Sequence, residues 1–600
     1  MRTVIEDRSG GILLVGVFAA AAVCLCGAAR PARLLAAEGD GGGAWPVPVK
    51  GFVPPEGGEH PRLFFRRSDL PRLRQRAETP EGKAIVRRLR LLLNGGDGES
   101  MPTQYNPNRG KQSRDGSGAS ANAPAGMYTI SHAAGFGLLY QLTGEKKYAD
   151  LGRQCMQKAF DEYRDRDNRY SFRYPYGALR AGPSLGWTAA GYDLCYDGWD
   201  DDFRKKVALA IQNYNEGRNM SLAELVRGSR HRPASNHWGM QVGGGALAVL
   251  AILNDPGVDA KKIAPLLKES RRAMIRNVTE GFGDHGWFAE GDGTGVMASH
   301  ITYLPAIQAW RVAGGQDFCT PRPNVRWTVL KFVLLTIPRG GKPDFPKRGA
   351  YPHNVWSRQG MSGTGTFCEG FGIVTDPEKT ALLWLYNRAS RGQDVEAGAP
   401  CETSSEYPHR AVLALVNWPF GMKEGDPMDS VPPAVGDEKF DFYAFRNRWR
   451  DENDILVSVQ TRDTRGNHRA NTRGDVEVWA LGRKMKWGRL KADSITCFKP
   501  AADGSGVLTG SDGTCLAVDF SKASGADGML VMTGPGAPDA KSVSAGGTKF
   551  AFLFLTGGEE PAPKSDGRKI VVGEQTVSIQ DGNIVLGKMA GPWRSAQTGG

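Results

Sequence analysis

The sequence predicts an α+β chain in two parts, an N-terminal α/α toroid (an incomplete helical barrel) followed by an antiparallel β-sandwich. Three observations predict it. Apolar residues recur at helical spacing from His60 to about Ala389, they switch to strict alternation after about Asp426, and a Pro-rich segment divides the two patterns. At 600 residues the chain exceeds what one hydrophobic core organises, and 40% hydrophobic content is enough to build two.

The chain opens on Met-Arg-Thr-Val-Ile-Glu-Asp-Arg, runs apolar from Ile12 to Gly27, and then shows small residues at Ala28, Ala29, Ala36 and Ala37, the pattern of a secretory signal. Residues 1–37 are read as that signal and 38–59 as a linker, so the mature chain is expected to be exported, to the periplasm or beyond. Cys24 and Cys26 follow Val23 and Leu25, which are bulkier than the residue a lipoprotein peptidase prefers, and this weighs against a lipid anchor. No later stretch is long and apolar enough to span a membrane, so the mature form is expected to have no membrane partner.

The formal charge is +12; loss of residues 1–37 takes away four basic and two acidic side chains and leaves +10. A basic excess favours a polyanionic partner. Export excludes nucleic acid as that partner, and the basic residues are spread along the chain instead of forming one run, which fits an acidic glycan. The excess is equally consistent with a basic surface that only maintains solubility.

Residues 60–423 are assigned to the toroid. Amphipathic stretches at Glu81 to Leu93, Ser131 to Thr143 and Lys147 to Tyr163 are separated by short turns, and Gly144 reads as a glycine that ends one helix before a polar turn into the next. The same logic returns at Leu250 to Gly257 and at Trp310 to Gly315. Antiparallel helix pairs in series need neighbours to cover their apolar faces, and a toroid or solenoid supplies them. Between Gly95 and Gly126 the composition is too rich in Gly, Ser, Asn and Pro to pack, and a long loop is expected.

Residues 424–436 read as the interdomain linker and 437–600 as the sandwich. Phe440–Phe445, Ile455–Val459, Val476–Ala480 and Phe550–Leu555 alternate with period two between turn signals. Seven cysteines follow Ala37, at 155, 195, 319, 368, 401, 497 and 515, without metal-ligand spacing or a disulfide framework. Cys497 and Cys515 read either as a pair between neighbouring strands or as two reduced buried thiols.

Three segments carry candidate chemistry. Asn236 and His237 precede a small, apolar, helix-like run and so stand at a helix entrance, with Trp238 beside them. An amide and an imidazole there suit a uronate carboxylate, whose neutralisation makes the proton on the adjacent carbon removable. The same residues also read as an Asn helix cap beside a hydrogen-bonded His. Phe282 to Gly293 is dense in aromatics, carboxylates and glycines, with Trp287 and Glu290 as candidate sugar contacts, and it leads to His300 and Tyr303, spaced to share one helix face. A phenol such as Tyr303 serves as base and then acid when positive charge makes its phenolate accessible. Thr461 to Gly474 concentrates four arginines with His468 between two strands; Arg465 and Arg469 suit carboxylates or sulfates through their planar forks, or form a solvated basic loop.

Together these segments resemble the heparinase II/III-like polysaccharide lyases and their alginate lyase relatives, over most of the mature chain. His60-Pro61-Arg62-Leu63-Phe64-Phe65 with Leu70, Leu73 and Arg76 resembles the family's opening; Phe442 to Trp449 resembles its first sandwich strand; and Gly466-Asn467-His468 running into Gly474 to Gly482 is similar to the family's histidine loop and following strand. The resemblance implies cleavage of an acidic polysaccharide by β-elimination, with Asn236 and His237 neutralising the uronate, Tyr303 transferring the proton and His468 contributed by the sandwich. Two departures stand out. Where the family often has a tyrosine near its Glu-Gly loop this chain has Thr294 and Val296, and where the family frequently writes His-x-His-x-Asp this chain reads His468, Ala470 and Thr472, so the structural zinc that some members hold in the sandwich is expected to be absent or held at a different site; no cofactor is expected. Two rival readings remain: a toroid glycosidase using Asp284, Glu290 and Asp292, and a glycan-binding protein without catalysis.

Overall fold

Helix boundaries follow local chemistry. In the computed structural model, which describes residues 45–109, 123–217, 219–320, 322, 324–340, 342–349, 351, 355, 364–390, 407–462, 474–490 and 493–588, the helices are α1 (Leu70–Ala77), α2 (Pro80–Asn94), α3 (His132–Thr143), α4 (Lys146–Phe160), α5 (Ala178–Cys195), α6 (Asp201–Gln212), α7 (Leu222–Arg227), α8 (Asn236–Ile252), α9 (Ala260–Arg276), α10 (Asp292–His300), α11 (Tyr303–Val312), α12 (Asn324–Leu335), α13 (Thr364–Phe371), α14 (Asp376–Ser390) and α15 (Pro408–Asn417). Thr79 caps α2 by accepting the Gly82 N–H at 3.0 Å, with Pro80 in the first turn where no N–H is needed. Gly144 ends α3 with φ 76°, its N–H on the Tyr140 carbonyl, as the glycine predicted.

Six positions around a ring are taken by α3, α5, α8, the α10–α11 pair, α13 and α15. From α3 through α5, α8 and the α10–α11 pair to α13, contacts advance in step along each neighbouring pair, so these helices are parallel. A Cβ added to Gly191 of α5 would meet Ala133 of α3, and one at Gly137 of α3 would meet Leu194. Gly182 of α5 faces Met240 of α8 and Gly186 faces Gly244; Gly239 of α8 faces Ala298 and Gly243 faces Thr302. His300 meets Glu369 of α13 and Gln308 of α11 faces Gly372. Gly135 of α3 faces Pro408 of α15, which brings the series round on itself.

Sequence separates the inner helices from the outer ones. Every residue of α8 is buried except the partly exposed His237, and its run Gly243-Gly244-Gly245-Ala246 lets neighbouring backbones approach where any side chain would hold them apart. The outer α9, with Lys261, Lys262, Lys268, Glu269, Arg271 and Arg272, buries only Ile263, Leu266, Ser270, Ala273 and Met274. At the start of the ring His60 is fully buried between Asp193 Oδ1 (2.7 Å) and Asp255 Oδ2 (3.1 Å), and Arg62 Nη2 donates to Asp255 at 2.5 Å. The opening motif is therefore a structural clasp tying the N-terminal segment to α5 and to the turn after α8.

Two small antiparallel pairs, β1 (Val47–Pro48) with β2 (Gln316–Asp317) and β3 (Ile337–Arg339) with β4 (Lys342–Asp344), sit among the helices. A five-stranded sheet follows, in the order β5 (Ala434–Asp437), β6 (Phe442–Arg446), β7 (Leu456–Gln460), β8 (Asp475–Ala480), β9 (Arg483–Arg489). Next come β10 (Ile495–Pro500), β11 (Gly506–Gly510), β12 (Cys515–Asp519), β13 (Gly528–Thr533), β14 (Ser542–Ala545) and β15 (Thr548–Leu555), ordered β10-β11-β12-β13-β15-β14, and then a sheet of β16 (Lys564–Ser565), β17 (Ile570–Val572), β18 (Gln575–Gln580) and β19 (Asn583–Lys588). All the strand pairs are antiparallel.

The sheets stack in layers. Tyr443, Phe445, Val457, Val459 and Val476 share a core with Leu508, Leu516, Val518 and Leu530, which joins the first sheet to the second as a sandwich. Phe550, Phe552 and Met529 on the second sheet's far face meet Ile570, Val572 and Val577 of the third. The alternate residues Phe442, Ala444, Leu456 and Trp479 belong to the helical core. Alternation in β6 therefore divides residues between two cores, where a simple sandwich would send one set to water. Cys497 pairs with Thr509 and Thr509 pairs with Cys515, so β11 lies between the two thiols and keeps them about two strand spacings apart, too far for a disulfide. Both are free; the reduced reading holds for this pair.

Residues 1–37, 110–122 of the expected loop, and the whole of 463–473 lie outside the described residues, so the signal segment, Arg465, His468 and Arg469 have no structural account. No helix among the described residues is long and apolar enough to cross a membrane.

Candidate functional site

Parallel inner helices gather their N-termini at one end of the ring, where unpaired N–H groups and aligned peptide dipoles leave partial positive charge. The first turn of α8 stands on this rim. Ser235, not Asn236, is its capping residue: Ser235 Oγ accepts the His237 N–H at 3.3 Å, while the Asn236 backbone N–H donates to Glu290 Oε2 at 3.1 Å. The Asn236 side-chain oxygen is buried without a hydrogen-bond partner. That amide oxygen does no work in the local fold, which removes the reading of Asn236 as a cap.

His237 is partly exposed, and its ring stacks on His231 with centroids 4.4 Å apart and planes 24° apart. Gln241, one turn further along α8, donates from Nε2 to the His237 carbonyl at 3.0 Å and to His231 Nδ1 at 2.8 Å. Burial, and secondarily the Arg230 guanidinium, push the His231 imidazole below its ordinary pKa, against a backbone bond to Ser229. His231 and Gln241 were not among the residues singled out by sequence; the signal for them was a second His six positions before His237 and a Gln four positions after it.

Several predicted contacts occupy other places. The helix carrying His300 breaks before Tyr303, because Pro305 has no N–H to continue the ladder, so the two residues lie on separate helices and do not share a face. Tyr303 has no exposed surface; its hydroxyl donates to the Met274 carbonyl at 2.5 Å, and burial pushes its pKa well above the phenolic value. A phenol so placed cannot reach a substrate proton. Trp238 is buried and donates its indole N–H to the Ala273 carbonyl at 3.1 Å, and His300 is buried with Nδ1 3.5 Å from Glu369 Oε2. Neither presents a surface to a sugar.

The Phe282–Gly293 segment joins helices to sheet. The N–H groups of His285 and Trp287 donate to Asp437 Oδ2 at 3.1 and 3.3 Å, and Trp287 lies flat on Phe442, with centroids 4.1 Å apart and planes within 5°. Gly283 is required because a Cβ there would stand 1.9 Å from the Asp437 carboxylate. Burial pushes the Asp437 carboxyl up to about 6, against the backbone N–H groups that hold its charged form. The Trp287 ring is thus consumed by the junction. Asp292 is fully buried 3.3 Å from Lys331 Nζ, and burial drives the carboxyl up and the ammonium down. Asp284 is exposed, Glu290 is buried against α8 and Asp292 is enclosed with Lys331, so these three carboxylates do not form the acid and base of one cleft.

No protein-family model matches the chain, and no curated protein matches it. Among solved structures the chain is similar to heparinase III, with TM-score 0.37 and 10% identity over 82% of this chain and 76% of that one. It is similar also to the heparan sulfate lyase HepC from Pedobacter heparinus, with TM-score 0.35 and 10% identity over 75% of this chain and 67% of that one.

Proposed function

We propose that the protein is an exported polysaccharide lyase that cleaves a uronic-acid-containing polymer by β-elimination, at the rim where α8 begins. The observation that carries this reading is the Asn236 amide: Ser235 already caps the helix, and the Asn236 oxygen is left unbonded beside the partly exposed His237. A uronate carboxylate bound there is neutralised by donors of the Asn236 amide nitrogen and of the imidazole and by the partial positive charge of the converging helix ends, while the unbonded amide oxygen is left to accept from a sugar hydroxyl. Loss of the C5 proton to an imidazole breaks the C5–H bond, its electron pair forms the C4=C5 double bond, the C4–O bond breaks, and the departing sugar oxygen takes up a proton. His237 and His468 are the imidazoles assigned to this work; Arg465 and Arg469 are assigned to the polymer's acidic groups, and Glu290 to orienting Asn236.

The test is ultraviolet absorbance of the mature protein incubated with a panel of acidic polysaccharides, with His237→Ala alongside. A rise for the wild-type protein that His237→Ala abolishes is the expected result. New reducing ends without absorbance mean hydrolysis, and binding without either means a glycan-binding protein; each would replace the reading. Tyr303→Phe is expected to keep the wild-type rate and to lose only about 1 kcal/mol of stability, the worth of one buried hydrogen bond. A tenfold or greater fall in its rate, with the fold intact by circular dichroism, would return Tyr303 to the chemistry.

A further inference from the structure

The approach to α8 carries a second imidazole that the elimination as proposed does not use. We infer that His231 is a positioning residue for His237, the two stacked rings and Gln241 forming one unit at the mouth of the ring. This rests on the reading of His237 as a residue that works on substrate, and deepens it.

The unit is built from three fixed points. Gln241 is 1% exposed, and both directions of its amide nitrogen are taken, one by the His237 carbonyl and one by His231 Nδ1. An Nδ1 that accepts a hydrogen bond carries no proton, so His231 is the neutral tautomer with its proton on Nε2. The segment bearing it is pinned: Gly228 and Arg230 adopt φ 66° and 73°, and Arg230 donates to Asn219 Oδ1 at 2.5 Å and lies 3.6 Å from Glu224 of α7. Among the described residues, the charged groups tied to the pair include Arg230, whose charge acts on His231, Glu224 through Arg230, and Glu290 at the Asn236 N–H, with Arg232 next in sequence to His231.

Two consequences follow for His237. A flat, uncharged ring on one face holds its plane and shields that face from water. With Nδ1 accepting from Gln241, His231 in this arrangement sets no like charge against a proton arriving on His237, as a protonated neighbour would. Removing the ring while leaving Gln241 in place therefore hydrates His237, favours its charged form and raises its titration midpoint.

The experiment compares full-length mature wild type with His231→Ala and His231→Phe, reading the His237 ring proton by NMR titration and kcat and KM across pH on the polysaccharide that the wild type cleaves. Expected are a higher His237 midpoint in His231→Ala, a kcat lowered about tenfold or more, toward the range of an impaired general base, and a KM within about threefold of wild type. His231→Phe, which keeps the stack, is expected to restore both midpoint and kcat to within about threefold. A His237 midpoint unmoved in His231→Ala overturns the inference whatever the protein's reaction, as does a moved midpoint with unchanged kcat. A folded His231→Phe as impaired as His231→Ala overturns the stacking argument. No elimination by the wild type on any member of the panel fails the lyase reading itself, and with it the role given to His231; the NMR arm distinguishes that failure from the others.

Discussion

Gly244→Ala is expected to destabilise the protein by about 3 kcal/mol or more, at the upper end of what overpacking costs. A Cβ at Gly244 would stand 1.9 Å from the Gly182 carbonyl oxygen and 2.7 Å from the Gly182 Cα, and Gly182 in turn has the Met240 carbonyl 2.1 Å from its own Cβ position. All of these neighbours are backbone atoms at buried positions of α5 and α8, so no side chain can swing aside and one helix must move. One of the two, α8, carries Asn236 and His237, so a shift between them should lower activity with stability. Urea denaturation reads the effect, with Gly557→Ala as control: a Cβ there meets nothing within 4 Å, and a change within about 0.5 kcal/mol is expected. Wild-type stability in Gly244→Ala would mean that α5 and α8 do not cross as described.

Asp454→Ala is expected to cost about 3–5 kcal/mol, the loss seen when one partner of a buried ion pair is removed. Arg446 and Asp454 are both fully buried, and Arg446 Nη2 donates to Asp454 Oδ2 at 2.9 Å. The same guanidinium bonds the Leu334 and Thr336 carbonyls at 2.8 and 2.7 Å, so it fastens the first sheet to the end of α12. Burial brings Arg446 down to about 10, with Asp454 opposing, which leaves it charged at neutral pH and in need of its partner. Asp454 also accepts the Arg450 N–H at 2.9 Å, so its loss strands a backbone group besides the guanidinium. Chemical denaturation at pH 7 reads the cost; a loss below about 1 kcal/mol would show that this pair does not hold sheet to helices.

Legibility differed by the range of the interaction. The helix end at Gly144 was readable because a cap is decided within four residues of itself. The joint reading of His300 and Tyr303 failed on a single local feature, Pro305, whose missing N–H outweighs the helical spacing around it. The glycines and aromatics of Phe282 to Gly293 were read as an open sugar-binding loop, because sequence does not say what a tryptophan stacks on; here it is Phe442, more than a hundred residues later. Asn236 and His237 were found from their place at a helix entrance, but their partners Glu290, Gln241 and His231 come from a separate loop, the next helical turn and the preceding segment.

By itself the sequence determined the order of the two patterns, the helix pairs, the strands and the polar entrance to α8, since each depends on periodicity or on caps a few residues away. Tertiary structure alone decided which helices face inward, that β6 serves two cores, that Tyr303 and Trp287 are spent on packing, and that His237 has an imidazole partner. Those outcomes depend on which surfaces meet across the ring and the sheet, and burial is settled by the neighbour that covers a residue as much as by the residue itself.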